Sequence, residues 1–266
     1  MSVTIYIPAR YASSRYPAKP LAMLKGVNGA EKSLIHRAWL AAMAVPGVDQ
    51  VAVATDDDRI ADHARAFGAE VAMTSSDARN GTERCAEALE NTAGSPEIIV
   101  NLQGDAPLTP AHIATSLIEA LKATPDADMA TPVVRCDAAA LAALQADRRE
   151  GRVGGTTAVL GPNNRAIYFS KEVLPYTPVE WPQQSPPEVW HHLGVYAYRP
   201  DGLRKYAAWP ECDLEKREGL EQLRFLENAA KVLCVPVDTG GATIWELNNP
   251  EDVPIVERLL AARGIE

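Results

Sequence analysis

The first half of the chain alternates short apolar segments with segments of helical periodicity, and this order limits the folds that it can adopt. The apolar segments predict buried strands, and the segments between them predict amphipathic helices. The predicted strands are Val3–Ile7, Val51–Ala54, Glu70–Met73, Ile98–Leu102 and Met129–Val134, and the predicted helices are Leu34–Met43, Arg59–Phe67, Glu83–Glu90 and Ile113–Leu121. This alternation favours an α/β fold with a doubly wound, mostly parallel sheet and helices on both faces. Ligands of such sheets bind beyond the carboxyl ends of the strands.

The second half of the sequence is less regular and predicts a smaller β-rich part. Two apolar segments around Gly161-Pro162-Asn163-Asn164 are typical of a β-hairpin. A final helix is predicted to begin after the N-cap residue Asn249 and Pro250. The other predicted elements are the hairpin strands Thr156–Leu160 and Ala166–Ser170, the exposed loop Pro175–Pro187, the strand Trp190–Tyr198 and the helix Glu215–Asn228. Without an internal repeat or a clear linker, the chain is predicted to form one domain, 1–266, with an inserted β-rich subdomain at about residues 135–200.

The charge of the chain excludes two classes of partner. It has 26 Lys and Arg against 35 Asp and Glu, a formal net charge of −9, whereas nucleic acids and anionic membranes bind basic surfaces. The 4 cysteines stand in no metal-binding spacing, and no apolar run is long enough to span a membrane. The sequence also begins directly in a predicted strand, without the pattern of a leader peptide. We therefore expect a cytoplasmic protein that neither binds nucleic acid nor inserts into a membrane.

The segment that follows the first predicted strand concentrates positive charge. Residues 7–21, IPARYASSRYPAKPL, contain Arg10, Arg15 and Lys19 and no acidic residue. Guanidinium groups hold phosphate oxygens through paired hydrogen bonds, and a lysine acts as a point charge. A solvated basic loop would have the same composition. Its place at the carboxyl end of a buried strand in an acidic protein favours an anion site.

A carboxylate follows the fourth predicted strand at the same edge of the sheet. In VNLQGDAPL, residues 100–108, the strand ends before Gln103-Gly104-Asp105. An Asp after Gly is common in plain turns. Beside a phosphate-binding loop, however, Asp105 is well placed to bind Mg²⁺, which prefers carboxylate, phosphate and water oxygens. The two segments together predict a site for a metal-bound polyphosphate.

Two further segments supply polar groups. NGTER, residues 80–84, begins a predicted helix with Thr82 as a possible N-cap and Arg84 near the positive end, although capping alone would account for Thr82. His191 and His192 precede an apolar strand segment. Because neighbouring strand residues point to opposite faces, a shared metal site is not expected. Contact of one histidine with a substrate hydroxyl and a plain surface position remain alternatives.

Eight ordered segments, spread along almost the whole chain, resemble those of the 3-deoxy-manno-octulosonate (KDO) cytidylyltransferases, or CMP-KDO synthetases. They are IPARYASSRYPAKPL, VAVATDDDRI, NGTER, NLQGDAPL, IYFSKEVLPY, HHLGVYAYR, LEQLRFLE and NNPEDV. The resemblance implies a Rossmann-like nucleotidyltransferase in which the anomeric hydroxyl of KDO attacks the α-phosphate of CTP, so that pyrophosphate leaves and CMP-KDO forms. It also implies Mg²⁺ as cofactor, a homodimer, a role of the inserted subdomain in the sugar site and the dimer, and a function in lipopolysaccharide or capsule synthesis.

The resemblance also assigns roles to individual residues. Cytidylyl transfer depends on charge neutralisation and positioning more than on covalent catalysis. By resemblance, Arg10, Arg15 and Lys19 hold the phosphates, with Arg10, Lys19 and Asp105 as the catalytic residues; Thr82, Arg84 and Gln103 line the nucleotide and sugar pocket; and Gln103, His192, Tyr198, Glu221 and Gln222 face the sugar acid. Glu221 and Gln222 also fit a plain amphipathic helix, EGLEQLRFLENAA.

Three departures from the family pattern affect the metal and the acceptor. The family usually has Asp at the position of Asn248, where it supplies a metal ligand, and Lys at the position of Thr157, and the segment Asn28–Lys32 is an extra one. We hypothesise that Glu246 replaces the missing carboxylate and that Asn248 contributes a neutral oxygen. A cytidylyltransferase for another ulosonic acid or a phosphonate, and a nucleotide-binding regulator without catalysis, are the alternatives.

Overall fold

The computed structural model describes residues 1–12, 15–177, 188–242 and 244–266. Most of the predicted loop Pro175–Pro187 lies outside the described residues. None of the helices in these ranges combines the length and the apolar character that a membrane span requires.

The described residues form a ten-stranded sheet, a two-stranded sheet and a set of helices. The strands are β1 (Val3–Ala9), β2 (Met23–Lys25), β3 (Glu31–Ser33), β4 (Gln50–Thr55), β5 (Glu70–Met73), β6 (Ile98–Leu102), β7 (Met129–Arg135), β8 (Thr156–Leu160), β9 (Ala166–Ser170), β10 (Trp190–His192), β11 (Val195–Tyr198) and β12 (Val232–Pro236). The α-helices are α1 (Leu34–Met43), α2 (Asp58–Ala66), α3 (Gly81–Asn91), α4 (Ala111–Ala123), α5 (Ala138–Arg149), α6 (Pro200–Ala208), α7 (Asp213–Glu218), α8 (Leu223–Glu227) and α9 (Val253–Ala262).

The large sheet has the order β5-β4-β1-β6-β11-β7-β10-β8-β9, with β12 paired to β7. Strands β5, β4, β1 and β6 form parallel pairs, and β11 pairs antiparallel with both β6 and β7. It follows that β1, β4, β5, β6, β7, β8 and β12 run in one direction, whereas β9, β10 and β11 run in the other. The predicted α/β class with a doubly wound, mostly parallel sheet is confirmed.

The predicted strands and helices of the first half are confirmed, and burial explains why they could be recognised. In β1, Ile5 and Ile7 pack in one apolar cluster with residues of α1 and α4. Tyr6, between them, packs in a second cluster with residues of α3 and α6. Because both faces of the strand are covered, its sequence is apolar at nearly every position. The hairpin of β8 and β9 is also confirmed by antiparallel pairing.

Two elements of the second half were predicted as continuous, but each is divided into two in the structure. The predicted strand Trp190–Tyr198 is divided into β10 and β11 by Leu193 and Gly194. The predicted helix Glu215–Asn228 is divided into α7 and α8 because Gly219, at the C-cap of α7, has a φ of +61°, a left-handed conformation that ends a helix. The residues between α7 and α8 therefore form a turn.

Strand β8 continues the large sheet through β10, and β9 pairs with β8 at the end of the order. The assignment of residues 135–200 to an inserted subdomain stays a prediction.

The C-terminal helix brings a further segment to the carboxyl edge of the sheet. Helix α9 packs in a separate apolar cluster in which Leu247 is fully buried, and the Leu247 amide donates to the Asp105 carbonyl at 2.9 Å. The predicted N-cap Asn249 is confirmed, but it caps a short 3₁₀-helix, Pro250–Asp252, that precedes α9. This arrangement fixes the segment around Glu246 next to Asp105.

Candidate active site

A first cavity, of about 380 Å³, lies beyond the carboxyl ends of β1 and β6. Gly104, after β6, passes so close to the loop after β1 that a Cβ atom would lie 2.9 Å from the Pro8 carbonyl oxygen. A larger residue would push the two segments apart and displace Gln103 and Asp105. The charged side chains that line the cavity are Arg10, Arg15, Lys19, Arg79, Arg84 and Asp105.

This lining carries an excess of positive charge, although the protein as a whole is acidic. Arg84 is buried, and its Nη1 donates to Thr74 Oγ1 at 2.5 Å and lies 3.1 Å from Asp56 Oδ1. Arg10, by contrast, is exposed. A concave site with several cations attracts polyanions, so the cavity has the charge that a nucleoside triphosphate requires.

Lys19 and Asp105 form an ion pair within this cavity. Lys19 Nζ donates to Asp105 Oδ2 at 2.7 Å, and the two side chains are only 16% and 26% exposed. The carboxylate predicted to bind Mg²⁺ is thus held by a cation predicted to bind phosphate. Coordination of a metal ion through Oδ2 would require the two groups to separate, because Lys19 occupies that oxygen.

The N-terminus of α3 forms one wall, but its cap differs from the prediction. Asn80 is the N-cap residue, since its Oδ1 accepts from the Glu83 amide at 2.8 Å; the prediction of Thr82 as N-cap is wrong. Thr82 is buried in the first turn instead. Its amide donates to Glu221 Oε2 at 3.0 Å, and its Oγ1 lies 2.7 Å from the Tyr198 hydroxyl.

A second cavity, of about 750 Å³, lies at the break that Leu193 and Gly194 make between the consecutive strands β10 and β11. On one side of the break, Val195 pairs with Leu102 at the end of β6. On the other side, β10 pairs with the beginning of β8. The cavity therefore lies between the end of β6 and the later hairpin.

The two cavities share three lining residues, Arg15, Gln103 and Asp105. Among the described residues, Arg15 is the only Lys or Arg that lines the second cavity, whereas Asp105, Glu221, Glu246 and Asp252 all line it. The cationic part and the acidic part of the site therefore meet at Gln103 and Asp105.

Both histidines of β10 line the second cavity, but among the described residues only His192 has a side-chain hydrogen bond. Thr131 Oγ1 donates to the Val195 carbonyl at 2.9 Å, so the contact of 2.7 Å between Thr131 Oγ1 and His192 Nε2 must be donated by the histidine. Burial, and then His191, lower the pKa of His192 to about 3. Burial also lowers the pKa of His191. His192 is therefore a neutral, oriented ring.

The turn between α7 and α8 brings Glu221 and Gln222 into the second cavity. Desolvation raises the pKa of the Glu221 carboxyl. Gln222 is 2% exposed; its Oε1 accepts from the Tyr196 hydroxyl at 3.3 Å, while its Nε2 has no partner among the described residues. A buried amide donor without a partner at a cavity wall suits a ligand oxygen.

Tyr198 lies apart from this wall. It is fully buried, stacks on Phe225 with ring centroids 5.9 Å apart, and bonds to Thr82 as described above. In the structure, Tyr198 supports α3, and Tyr196 is the tyrosine that lines the second cavity.

Glu246 and Asn248 lie beside Asp105 at the junction of the cavities. Desolvation, and then the charge of Asp105, raise the pKa of the Glu246 carboxyl. Asn248 Oδ1 accepts from Arg15 Nη2 at 3.2 Å, and its Nδ2 donates to Glu246 Oε2 at 3.4 Å. The oxygen that was hypothesised to bind metal is therefore engaged by Arg15.

Thr157, at the position where the family usually has Lys, lines neither cavity, and its side chain bonds to the backbone instead. It is buried, its Oγ1 donates to the Glu172 carbonyl at 2.7 Å, and it accepts from the Leu174 amide at 3.1 Å. Here the side chain holds the backbone that follows β9.

No group of three His, Cys, Asp or Glu side chains suitable for a metal comes together in the part of the chain that the structure describes. Asp105 and Glu246 are a pair of carboxylates with Asn248 beside them. Two carboxylates are enough for Mg²⁺, which usually keeps several waters and also binds substrate phosphates.

Comparison with known proteins agrees with this geometry. The family model described as Cytidylyltransferase matches residues 4–232. The chain is 43% identical over 264 residues to the 3-deoxy-manno-octulosonate cytidylyltransferase of Maricaulis maris, covering 99% of both chains. It is 36% identical to that of Chlamydia pneumoniae, covering 96% of this chain and 92% of the relative. The chain belongs to the cytidylyltransferase family. Its relatives place it among the KDO cytidylyltransferases, as the resemblance predicted.

A solved structure of a family member shows the same fold. The CMP:2-keto-3-deoxy-manno-octonic acid synthetase complexed with CTP has a TM-score of 0.82 and 31% sequence identity, and the match covers 99% of this chain and 100% of that one. The overall architecture of this chain is therefore that of a cytidylyltransferase.

The structure also identifies lining residues that the sequence patterns missed. Arg79 and Asn80 line the first cavity, and Tyr196 and Trp245 line the second. Asn80 could have been recognised as the N-cap in NGTER, since Asn is among the preferred residues at that position. The others are placed by contacts between distant segments and had no local signal.

Proposed function

We propose that this chain transfers CMP from CTP to the anomeric hydroxyl of KDO and releases pyrophosphate. The observation that carries the proposal is the junction at Gln103 and Asp105, where a cationic cavity meets a larger cavity of neutral and acidic side chains. A triphosphate in the first cavity and a sugar acid in the second would meet at this junction. Such a meeting point is what a direct transfer between two substrates requires.

On the nucleotide side, the proposed role of the cations is to neutralise charge. Arg10, Lys19 and Arg84 would hold the triphosphate and stabilise the negative charge that develops on pyrophosphate as it leaves. Arg15 lines both cavities, so it can contact the transferred phosphate or the acceptor carboxylate.

On the acceptor side, the proposed role of the wall is orientation. Gln103, Gln222 and the neutral His192 would bind hydroxyl groups, and Glu221 would accept from a further hydroxyl. As the acceptor oxygen attacks the α-phosphorus, its hydroxyl proton passes to solvent, the bond from that phosphorus to the β-phosphate oxygen breaks, and pyrophosphate leaves. Tyr198 and Thr82 would act indirectly, through the position of α3.

We propose Mg²⁺ as cofactor, held by Asp105 and Glu246. The fit rests on two carboxylates that line the same cavity, with the Leu247 amide, next to Glu246, bonded to the Asp105 carbonyl at 2.9 Å. When bound, Mg²⁺ would supply positive charge to the α-phosphate and the attacking oxygen. Asn248 would orient Glu246 through Nδ2 while it holds Arg15 through Oδ1. We also propose that the protein is a cytoplasmic homodimer to which residues 135–200 contribute.

A substrate panel tests the proposed function. We expect pyrophosphate release with CTP, KDO and Mg²⁺, and little with UTP or ATP. The panel should include a second ulosonic acid and a phosphonate, because Asn248 and Thr157 depart from the family pattern. Turnover with one of these acceptors and not with KDO would mean that the proposed acceptor is wrong and that the proposed cytidylyl transfer is right. CTP binding without turnover of any acceptor would support a regulatory protein instead.

A further inference from the structure

The turn that carries Glu221 and Gln222 is held by little regular structure of its own. The preceding helix α7 has 6 residues and the following helix α8 has 5. Helices of this length have almost no stability in isolation. The position of the turn must therefore come from side-chain contacts with the rest of the molecule.

Those contacts converge on Arg224, which is fully buried. Its Nε and Nη2 donate to the two carboxylate oxygens of Glu215 at 2.7 and 2.6 Å, and its Nη1 donates to Glu83 Oε1 at 2.9 Å. The guanidinium also lies 4.1 Å from the centroid of the Tyr206 ring. One side chain thus joins α8 to α7, to α6 and to the first turn of α3.

Stability alone is a poor explanation for this arrangement. A buried ion network is often no more stable than well-packed apolar residues, because desolvation of the charges offsets their attraction. The network instead supplies geometric specificity. A planar guanidinium that bonds to carboxylates on two different helices restricts how those helices can be placed relative to each other. Three residues before Arg224, Glu221 accepts from the Thr82 amide of α3.

We propose that Arg224 is a positioning residue for the acceptor. It fixes the 220–222 turn against α3, so that the second cavity is faced by the carboxylate of Glu221 and by Nε2 of Gln222, which has no partner among the described residues. This inference rests on the proposed function, since it concerns the acceptor of that reaction.

The network also predicts that loss of Arg224 affects the first cavity less than the second. Glu83 has partners besides Arg224: its carboxylate accepts from Arg79 Nε at 3.1 Å and from the Arg79 amide at 2.8 Å. Asn80 keeps its capping contact, since its Oδ1 accepts from the Glu83 amide at 2.8 Å, within α3 itself. Loss of Arg224 therefore loosens the acceptor wall and leaves the α3 wall of the first cavity with its own contacts.

The test compares Arg224→Lys and Arg224→Met with the wild type. We expect kcat/KM for KDO to fall on the order of 10²-fold, the effect of a displacement of about 1 Å, with most of the change in KM for KDO. The Kd of CTP, measured by calorimetry, should stay within about threefold. Arg204→Met is the matched control, because Arg204 is exposed and pairs only with surface acids among the described residues.

A purely structural role would lower the melting temperature and the folded fraction without changing KM for KDO per folded molecule, and that result would overturn the inference. If both Arg224 variants fail to fold, Glu215→Gln replaces them, since it keeps the side-chain shape and removes one charge of the network. The same rise in KM for KDO is then expected, and an unchanged KM overturns the inference. If the wild type uses another acceptor in place of KDO, the proposed substrate is wrong, and the same comparison is made with that acceptor.

Discussion

Replacement of Lys19 by Met should increase the affinity of the ligand-free protein for a divalent cation while it decreases turnover. Lys19 Nζ lies 2.7 Å from Asp105 Oδ2, so its positive charge stands directly beside the carboxylate that would bind the metal ion. A monovalent and a divalent cation about 4 Å apart repel each other by ~2 kcal/mol even at the dielectric constant of water. That repulsion corresponds to a roughly 30-fold difference in affinity. Loss of the phosphate contact should reduce kcat/KM for CTP at the same time.

The assay is titration of the free protein with Mn²⁺, followed by its electron paramagnetic resonance signal, with Mg²⁺ as competitor. Asp105→Asn is the control that should abolish binding in both backgrounds. Lys25→Met, on the surface of β2, should have no effect. An unchanged or weaker Mn²⁺ affinity in Lys19→Met would refute the idea that the ion pair and the metal compete for Asp105.

Three further results are expected. Glu246→Gln should raise the Mg²⁺ concentration for half-maximal activity by about tenfold or more, as expected for loss of one charge at the metal, whereas Glu251→Gln should not; equal curves would remove Glu246 from the metal site. Tyr198→Phe should cost about 1 kcal/mol in urea unfolding, because Thr82 Oγ1 loses a buried hydrogen bond, and should leave KM for KDO unchanged; a raised KM would mean that Tyr198 contacts the acceptor. For His192, burial lowers the pKa in the folded state to about 3. The unfolded chain binds the proton near its ordinary pKa of about 6.5, so stability decreases as the pH falls below that value. Between pH 7 and pH 5 the wild type should lose about 2 kcal/mol more than His192→Asn; equal losses would contradict the assigned pKa.

Local sequence patterns predicted those helices and strands whose buried residues follow a regular spacing along the element. Segments such as Ile98–Leu102 are buried on both sides, and their sequence shows it. The division of Trp190–Tyr198 left no such signal, because Leu193 continues the apolar run and the break arises from pairing with two different strands. The division at Gly219 was hidden by helical spacing that continues on both sides of the glycine.

The candidate site was predictable to the extent that strand ends determine it. The cations after β1 and the Asp after β6 had to approach each other once those strands were adjacent and parallel. The contact of Glu221 with the Thr82 amide joins residues 139 positions apart, and no local pattern contains it. The same holds for the contact of Asn248 with Arg15, which spans 233 positions.

The break at Leu193 and Gly194 lies between two parts of the molecule. One part would have to change for a different acceptor, and the other could stay the same. The residues proposed to bind the phosphates follow β1 and β6, whereas the far wall of the second cavity comes from β8, β10 and the 220–222 turn. Substitutions in these later segments can reshape the proposed acceptor wall without disturbing the packing of β1 and β6. A lineage of such enzymes could therefore diversify the acid that it activates while it inherits the nucleotide half unchanged.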